Sequence, residues 1–146
     1  MRVTKPLLAL VLLASFLGGC ASLDVQREPS QALPANDSAF GRSVQAQAAP
    51  HQGQSGFRLL SDSTEAFTAR AELIRNAQRS VDLQYYIIHD GISTRMLANE
   101  LLKAADRGVR VRILIDDTTS DGLDFIIATM AAHPQIQIRV FNPLNL

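Results

Sequence analysis

The chain has 146 residues, with 14 Lys plus Arg set against 14 Asp plus Glu, and a single cysteine. That length suits about one domain. The even charge leaves no broad basic field to hold nucleic acid, and one cysteine excludes a disulfide framework within the chain.

Residues 1–20 begin with Arg2 and Lys5, continue through an apolar run from Leu7 to Leu17, and reach Gly18-Gly19-Cys20. A basic start, a short apolar middle and small residues at the end make up the layout of a bacterial export signal. The run is too short for a spanning helix, which takes roughly 20 apolar residues. Leu17-Gly18-Gly19-Cys20 resembles the lipobox of bacterial lipoproteins, with glycine at the second position a slight departure. The resemblance implies that Cys20 is acylated and becomes the new N-terminus. Ala21, where an aspartate would signal retention at the inner membrane, then favours the outer membrane, facing the periplasm. An ordinary signal peptide with a chance cysteine, or an uncleaved anchor, is the competing reading. Without Arg2 and Lys5 the balance becomes 12 basic against 14 acidic residues, a charge of −2.

Residues 21–56 contain Pro29, Pro34 and Pro50 among many Gln, Ser and Ala, with no apolar period. They are expected to form a flexible tether that lifts a domain off the membrane. His51 lies within it and is given no role.

An α/β domain is expected from residue 57 onward. Phe57–Leu60 suggests a short strand. Asp62 and Glu65 frame a helix start, and Phe67, Ala71, Ile74 and Ala77 continue it at helical spacing to about residue 78. Arg70, Arg75 and Arg79 fall off that stripe and are expected in solvent. Val81–Ile88 is β-branched and aromatic, apolar on both faces at its far end, and is expected to be a strand covered on both sides. A helix over 93–106 follows, with Ser93 as its cap and Gly108 supplying the left-handed residue at its end. Residues 109–115 form a second strand and 121–132 a third helix with the stripe Leu123, Ile126, Ile127 and Met130, stopped by Pro134. Residues 136–141 alternate as another strand. Strands and helices taking turns imply a mainly parallel sheet.

Ligands of parallel sheets gather at the carboxyl ends of the strands. Three loops qualify: His89-Asp90, Asp116-Asp117 and Asn142. Two adjacent carboxylates can hold a hard cation. However, Thr118, Thr119 and Ser120 crowd the same turn, which favours Asp116 and Asp117 as acceptors for local hydrogen bonds. No metal and no cofactor is expected. His89 could act as a general base if a carboxylate oriented it, but neighbouring side chains leaving a strand point apart. His133 precedes Pro134 at a helix end, a structural position. Arg110 and Arg112 share a strand face with Asp116, where they could hold phosphate or cover the sheet with their stems.

Residues 77–88, Asp90-Gly91 and residues 101–117, with Arg107-Gly-Val-x-Val-Arg112 as the most specific stretch, resemble the start of phospholipase D superfamily proteins, bacterial cardiolipin synthases in particular. The resemblance covers about residues 57–146. It implies a partial phospholipase D-like domain and catalysis by two copies of H-x-K-x-x-x-x-D. One histidine attacks the phosphodiester, the other protonates the leaving alcohol, lysines stabilise the phosphoryl oxygens, and no metal takes part. Neither copy is present: no lysine stands two residues after His51, His89 or His133, and Leu101 stands two residues before Lys103. No catalytic residue carries over. The chain is therefore expected to be the N-terminal portion of a membrane-anchored phosphatidyl transferase or phosphodiesterase, inactive alone. Its partners would be membrane phospholipid and a remainder, or a second protein, that supplies the motifs. The alternative is a non-catalytic, lipid-anchored binding module of the outer membrane. A nuclease, which the superfamily also contains, fits the neutral charge poorly.

Overall fold

A computed structural model of the chain describes residues 29–34, 37–120 and 122–143. Cys20 and the leader reading of residues 1–20 lie outside the described residues. The chain divides into two units, Met1–Ala32 and Leu33–Leu146. The described part of the first, residues 29–32, has no regular structure.

The second unit contains, in order, α1 (Ala39–Ala48) with a 3-10 turn at Ala49–His51, then α2 (Ser63–Asn76), β1 (Ser80–Tyr85), α3 (Ile92–Asp106) and β2 (Arg110–Asp116). A 3-10 turn at Asp117–Thr119, α4 (Asp124–Ala131) and β3 (Ile136–Phe141) complete it. The strands form one parallel sheet in the order β1-β2-β3, with Val111 opposite both Val81 and Ile136. The α/β class and the parallel sheet are as the sequence predicts.

The core lies against one face of this sheet. Val111, Ile113 and Ile115 of β2 are buried together with Ala71 and Ile74 of α2, Leu97, Leu101, Ala104 and Ala105 of α3, and Met130 of α4. Each such side chain contributes roughly 1.5–3 kcal/mol on full burial. The other face carries Asp82, Arg110, Arg112, Gln137 and Arg139. Asp82 and Arg112 are register partners and form a two-pronged ion pair at 2.6 Å for each contact.

Local signals set several boundaries. Asp62 caps α2, its Oδ1 accepting from the Glu65 amide at 2.8 Å. Gly108 ends α3 at φ +86. Its amide donates to Ala105 O at 2.8 Å and the Val109 amide to Ala104 O at 3.1 Å, so two carbonyls at the helix end are satisfied just before β2 begins.

Other expectations are corrected. Residues 57–60 form no strand: Phe57 and Leu59 are 95% and 89% exposed, and Arg58 reaches Glu65 at 2.6 Å. The apolar face that a strand there would present, Phe57 and Leu59, is uncovered, and no described strand pairs with it. The strand expected over 81–88 ends at Tyr85, where pairing with Ile115 stops. Tyr86 and Ile87 are exposed, so the run of apolar residues does not mean cover on both sides. Ser93 does not cap α3; the helix starts after Gly91 with no side-chain cap. The third predicted helix begins three residues late, at Asp124, because Gly122 sits at φ +80, outside the right-handed helical region, and Leu123 is the N-cap.

The stretch read as a tether contains α1. Ser38 Oγ accepts from the Gly41 amide at 2.9 Å, and the Ala39 amide donates to Gln78 Oε1 at 2.7 Å. An ion pair joins Asp37 to Arg79. None of the α1 side chains is buried. Among the described residues no helix is long and apolar enough to cross a membrane.

Candidate functional site

All three loops singled out in the sequence leave the carboxyl ends of the strands. The parallel pairing sets Tyr85 against Ile115 and Asp116 against Phe141, so the strands end together.

Asp116, only 6% exposed, closes β2. Its Oδ1 accepts from the Thr118 amide at 2.9 Å and from Thr118 Oγ1 at 2.5 Å. Its Oδ2 accepts from Asn142 Nδ2 at 3.3 Å. These donors, the Thr118 hydroxyl first, hold the Asp116 carboxyl below the usual carboxylate range, against the opposing effect of burial. Asn142 directly follows β3 and sits at φ 49, a left-handed conformation that asparagine tolerates better than most residues. Asp116 and Asn142 thus clasp the ends of β2 and β3.

Asp117 does not share this arrangement. Its Oδ1 accepts from Ser120 Oγ at 2.8 Å. The adjacent aspartates therefore serve separate local networks, as expected of a turn crowded with hydroxyl residues. Among the described residues no group of three His, Cys, Asp or Glu side chains converges.

At the end of β1, Asp90 is bound by Arg95 through both oxygens, at 2.8 and 2.6 Å. That guanidinium lowers the Asp90 carboxyl. The His89 carbonyl accepts from Thr94 Oγ1 at 2.7 Å. With both oxygens engaged by Arg95, Asp90 does not orient the His89 imidazole. Among the described residues no hydrogen bond links His89 or Asp90 to Asp116 or Asn142.

The remaining basic side chains are placed as follows. Arg112 is engaged by Asp82, whose carboxyl it lowers, whereas Arg110 buries Nε and Nη2 with no hydrogen-bond partner. Arg75 is exposed, as expected of a residue off the apolar stripe, and pairs with Glu100 of α3 at 3.0 Å and with Glu72. Glu100 is lowered first by Arg75 and then by Lys103. Arg70 Nη1 lies 3.3 Å from the Tyr85 hydroxyl. His133 Nε2 lies 3.3 Å from Asp106, and its Nδ1 accepts from the Gln135 amide, which fits its structural reading.

On the sheet face opposite the core, near the carboxyl ends of the strands, lies an open hollow lined by Gln84, Tyr85, Tyr86, Leu114, Asp116 and Phe141. The sequence reading named Thr118 within the turn but missed Arg95 and the contact between Asn142 and Asp116. The Asp-x-Thr spacing of residues 116–118 signals a side-chain-capped turn at Thr118. Nothing local signals the other two.

Residues 71–143, half of the chain, match the family described as "Cardiolipin synthase, PLD-like domain". Cardiolipin synthase C of Escherichia coli K12 is 47% identical over 95 residues, covering 65% of this chain and 20% of that protein. An uncharacterised protein of Helicobacter pylori is 44% identical over 85 residues, covering 58% and 17%. A cardiolipin synthase of Staphylococcus aureus is 42% identical over 66 residues, covering 45% and 13%. The chain thus spans a fifth or less of the length of these relatives. Among solved structures, one of TrmBL2, an archaeal chromatin protein, superposes with a TM-score of 0.48 at 20% identity, covering 73% of this chain and 44% of that one. A likeness this slight bears on neither fold nor ligand.

Proposed function

This chain belongs to the family of cardiolipin synthase, phospholipase D-like domains, and from that premise we propose that it is the framework portion of a phosphatidyl transferase or phosphodiesterase acting on membrane phospholipid. The observation that carries the reading is the paired ending of the strands. The Asp116–Asn142 clasp fixes the rim of the hollow, where a phosphodiester would be handled, while no histidine of the 146 residues has a lysine two positions on. The framework supplies geometry. The attacking imidazole, the protonating imidazole and the lysines come from residues outside this sequence, in one longer polypeptide or in a companion chain. The chain alone is inert. We place it on the envelope, held at the outer membrane by acyl chains on Cys20, each buried methylene adding about 0.8 kcal/mol, with the residues ahead of Leu33 between the anchor and the domain.

A chimera tests this. The segment of the Escherichia coli cardiolipin synthase C that matches this chain over 95 residues is replaced by the corresponding residues of this chain, and cardiolipin formation from phosphatidylglycerol is measured. The expected result is activity in the chimera and none in the 146-residue chain. A folded but inactive chimera would refute the reading and favour a lipid-anchored binding module, and turnover by the chain alone would refute it by showing catalysis without the missing motifs.

A further inference from the structure

We propose that the cavity between α3 and α4 is a binding site for one unbranched alkyl chain with an anionic head group. The cavity has a volume of about 330 Å³. The cavity is partly open to solvent, so apolar surface that faces water there gains on taking up an apolar occupant. Its deep wall is aliphatic: Leu101, Ile113, Ile115, Leu123, Ile127 and Met130. Water is a poor occupant there, because a buried water needs 2–4 polar partners. A cavity of about 150 Å³ accommodates benzene, so this one has room for roughly a dozen carbons by the same measure.

The polar side chains of the wall are not scattered. Tyr85, His89, Asp90, Ser93 and Thr94 come from one stretch of chain, and Arg70 joins them through its contact with the Tyr85 hydroxyl. The cavity is therefore amphipathic, apolar in depth and polar at the carboxyl end of β1. The charge there is not balanced. Asp90 is neutralised by Arg95, while Arg70 makes no ion pair among the described residues. A cation left over at the polar end of an aliphatic cavity matches a carboxylate or phosphate at the head of an alkyl chain. The aromatic rings in the described wall, Tyr85 and His89, both lie at the polar end, so nothing in the depth favours a flat ring over a flexible chain. A free fatty acid and one acyl chain of a membrane phospholipid share this chemistry.

The test uses the full chain carrying carbon-13 methyl methionine. Met130 is 4% exposed and lines the cavity, whereas Met96 is 48% exposed and serves as the internal control. Monomeric dodecanoate, monododecyl phosphate and phosphatidylglycerol vesicles are titrated in turn. The expected result is a saturable shift of the Met130 methyl with Met96 unmoved, and binding of hexanoate at least tenfold weaker than dodecanoate. Dodecanoate acting without vesicles assigns the chain to a free fatty acid, and vesicles acting as well assign it to bilayer lipid; both support the site. Ala98→Phe, which fills the cavity from α3, should weaken dodecanoate at least tenfold. Arg70→Gln should abolish the preference for dodecanoate over dodecanol. If Ala98→Phe does not fold, the chain-length series on the unaltered protein still decides. The proposal is overturned if Met130 fails to shift with all three amphiphiles, if hexanoate equals dodecanoate, or if Met96 moves in step with Met130. It stands apart from the phosphatidyl-transfer reading: an inactive chimera leaves the alkyl site intact, and a silent Met130 leaves the chimera's activity untouched.

Discussion

Replacing Gly108 with alanine isolates a backbone effect at the junction of α3 and β2. Gly108 sits at φ +86, and a Cβ built there meets nothing within 4 Å. Steric crowding by neighbours is therefore absent, and the cost is that of holding an L-residue in the left-handed region, about 1–2 kcal/mol. Loss of unfolded-state freedom on leaving glycine returns about 0.4–1 kcal/mol. The net destabilisation should be about 1 kcal/mol, or a Tm lower by roughly 4–8 °C for a domain of this size. Asparagine tolerates the conformation better, so stability should fall in the order Gly, Asn, Ala. Urea titration of the full chain, followed by circular dichroism with the slope unchanged, measures this series. Because asparagine is larger than alanine, a result in which Gly108→Asn is worse than Gly108→Ala would mean that crowding, not backbone conformation, sets the cost. An alanine variant as stable as the parent would mean that the helix does not end in this way in solution.

Four further outcomes are expected. The carboxyls of Asp82, Asp90, Glu100 and Asp116 are all lowered in the folded state. They add stability above their unfolded values near pH 4 and lose it as the pH falls through the lower folded values, so the urea midpoint should drop in acid. Arg75→Ala should lower the midpoint at neutral pH by more than in acid, since the ion pair's contribution is lost as the pH falls through the lowered folded value of Glu100; an equal loss at both would discount the ion pair. Thr118→Val removes the leading cause of the Asp116 shift, and carboxyl carbon NMR should show that group titrating closer to the ordinary aspartate value. Leu101→Ala, at a position 4% exposed, should cost about 3–5 kcal/mol because it enlarges a cavity that is already present; a loss under about 1 kcal/mol would show that α3 and α4 close over the gap.

What the sequence could convey was what neighbours in the chain decide. The cap at Asp62, the left-handed Gly108 and the alternation over 136–141 each depend on a few adjacent residues, and each appears in the structure. Tyr86 to Ile88 misled because apolar character does not say whether a residue pairs in a sheet or lines a cavity beyond it. Phe57–Leu60 misled for the converse reason: strand-forming composition is not a strand without a neighbour to pair with and a layer to cover it. At the candidate site the loops were legible and the partners only in part. Asp116 meets Asn142 across 26 positions of sequence, and Arg75 meets Glu100 across 25. Contacts of that span depend on how the helices and strands come together.

The fastening of α1 has a mechanical side. Asp37 grips Arg79 and Ala39 grips Gln78, and both grips lie just ahead of the first residue of β1. Tension arriving from upstream would enter the domain there, at the opposite extremity of the sheet from Asp116. The loops at the far extremity would be spared that load, and a leash pulled taut would leave the hollow undistorted.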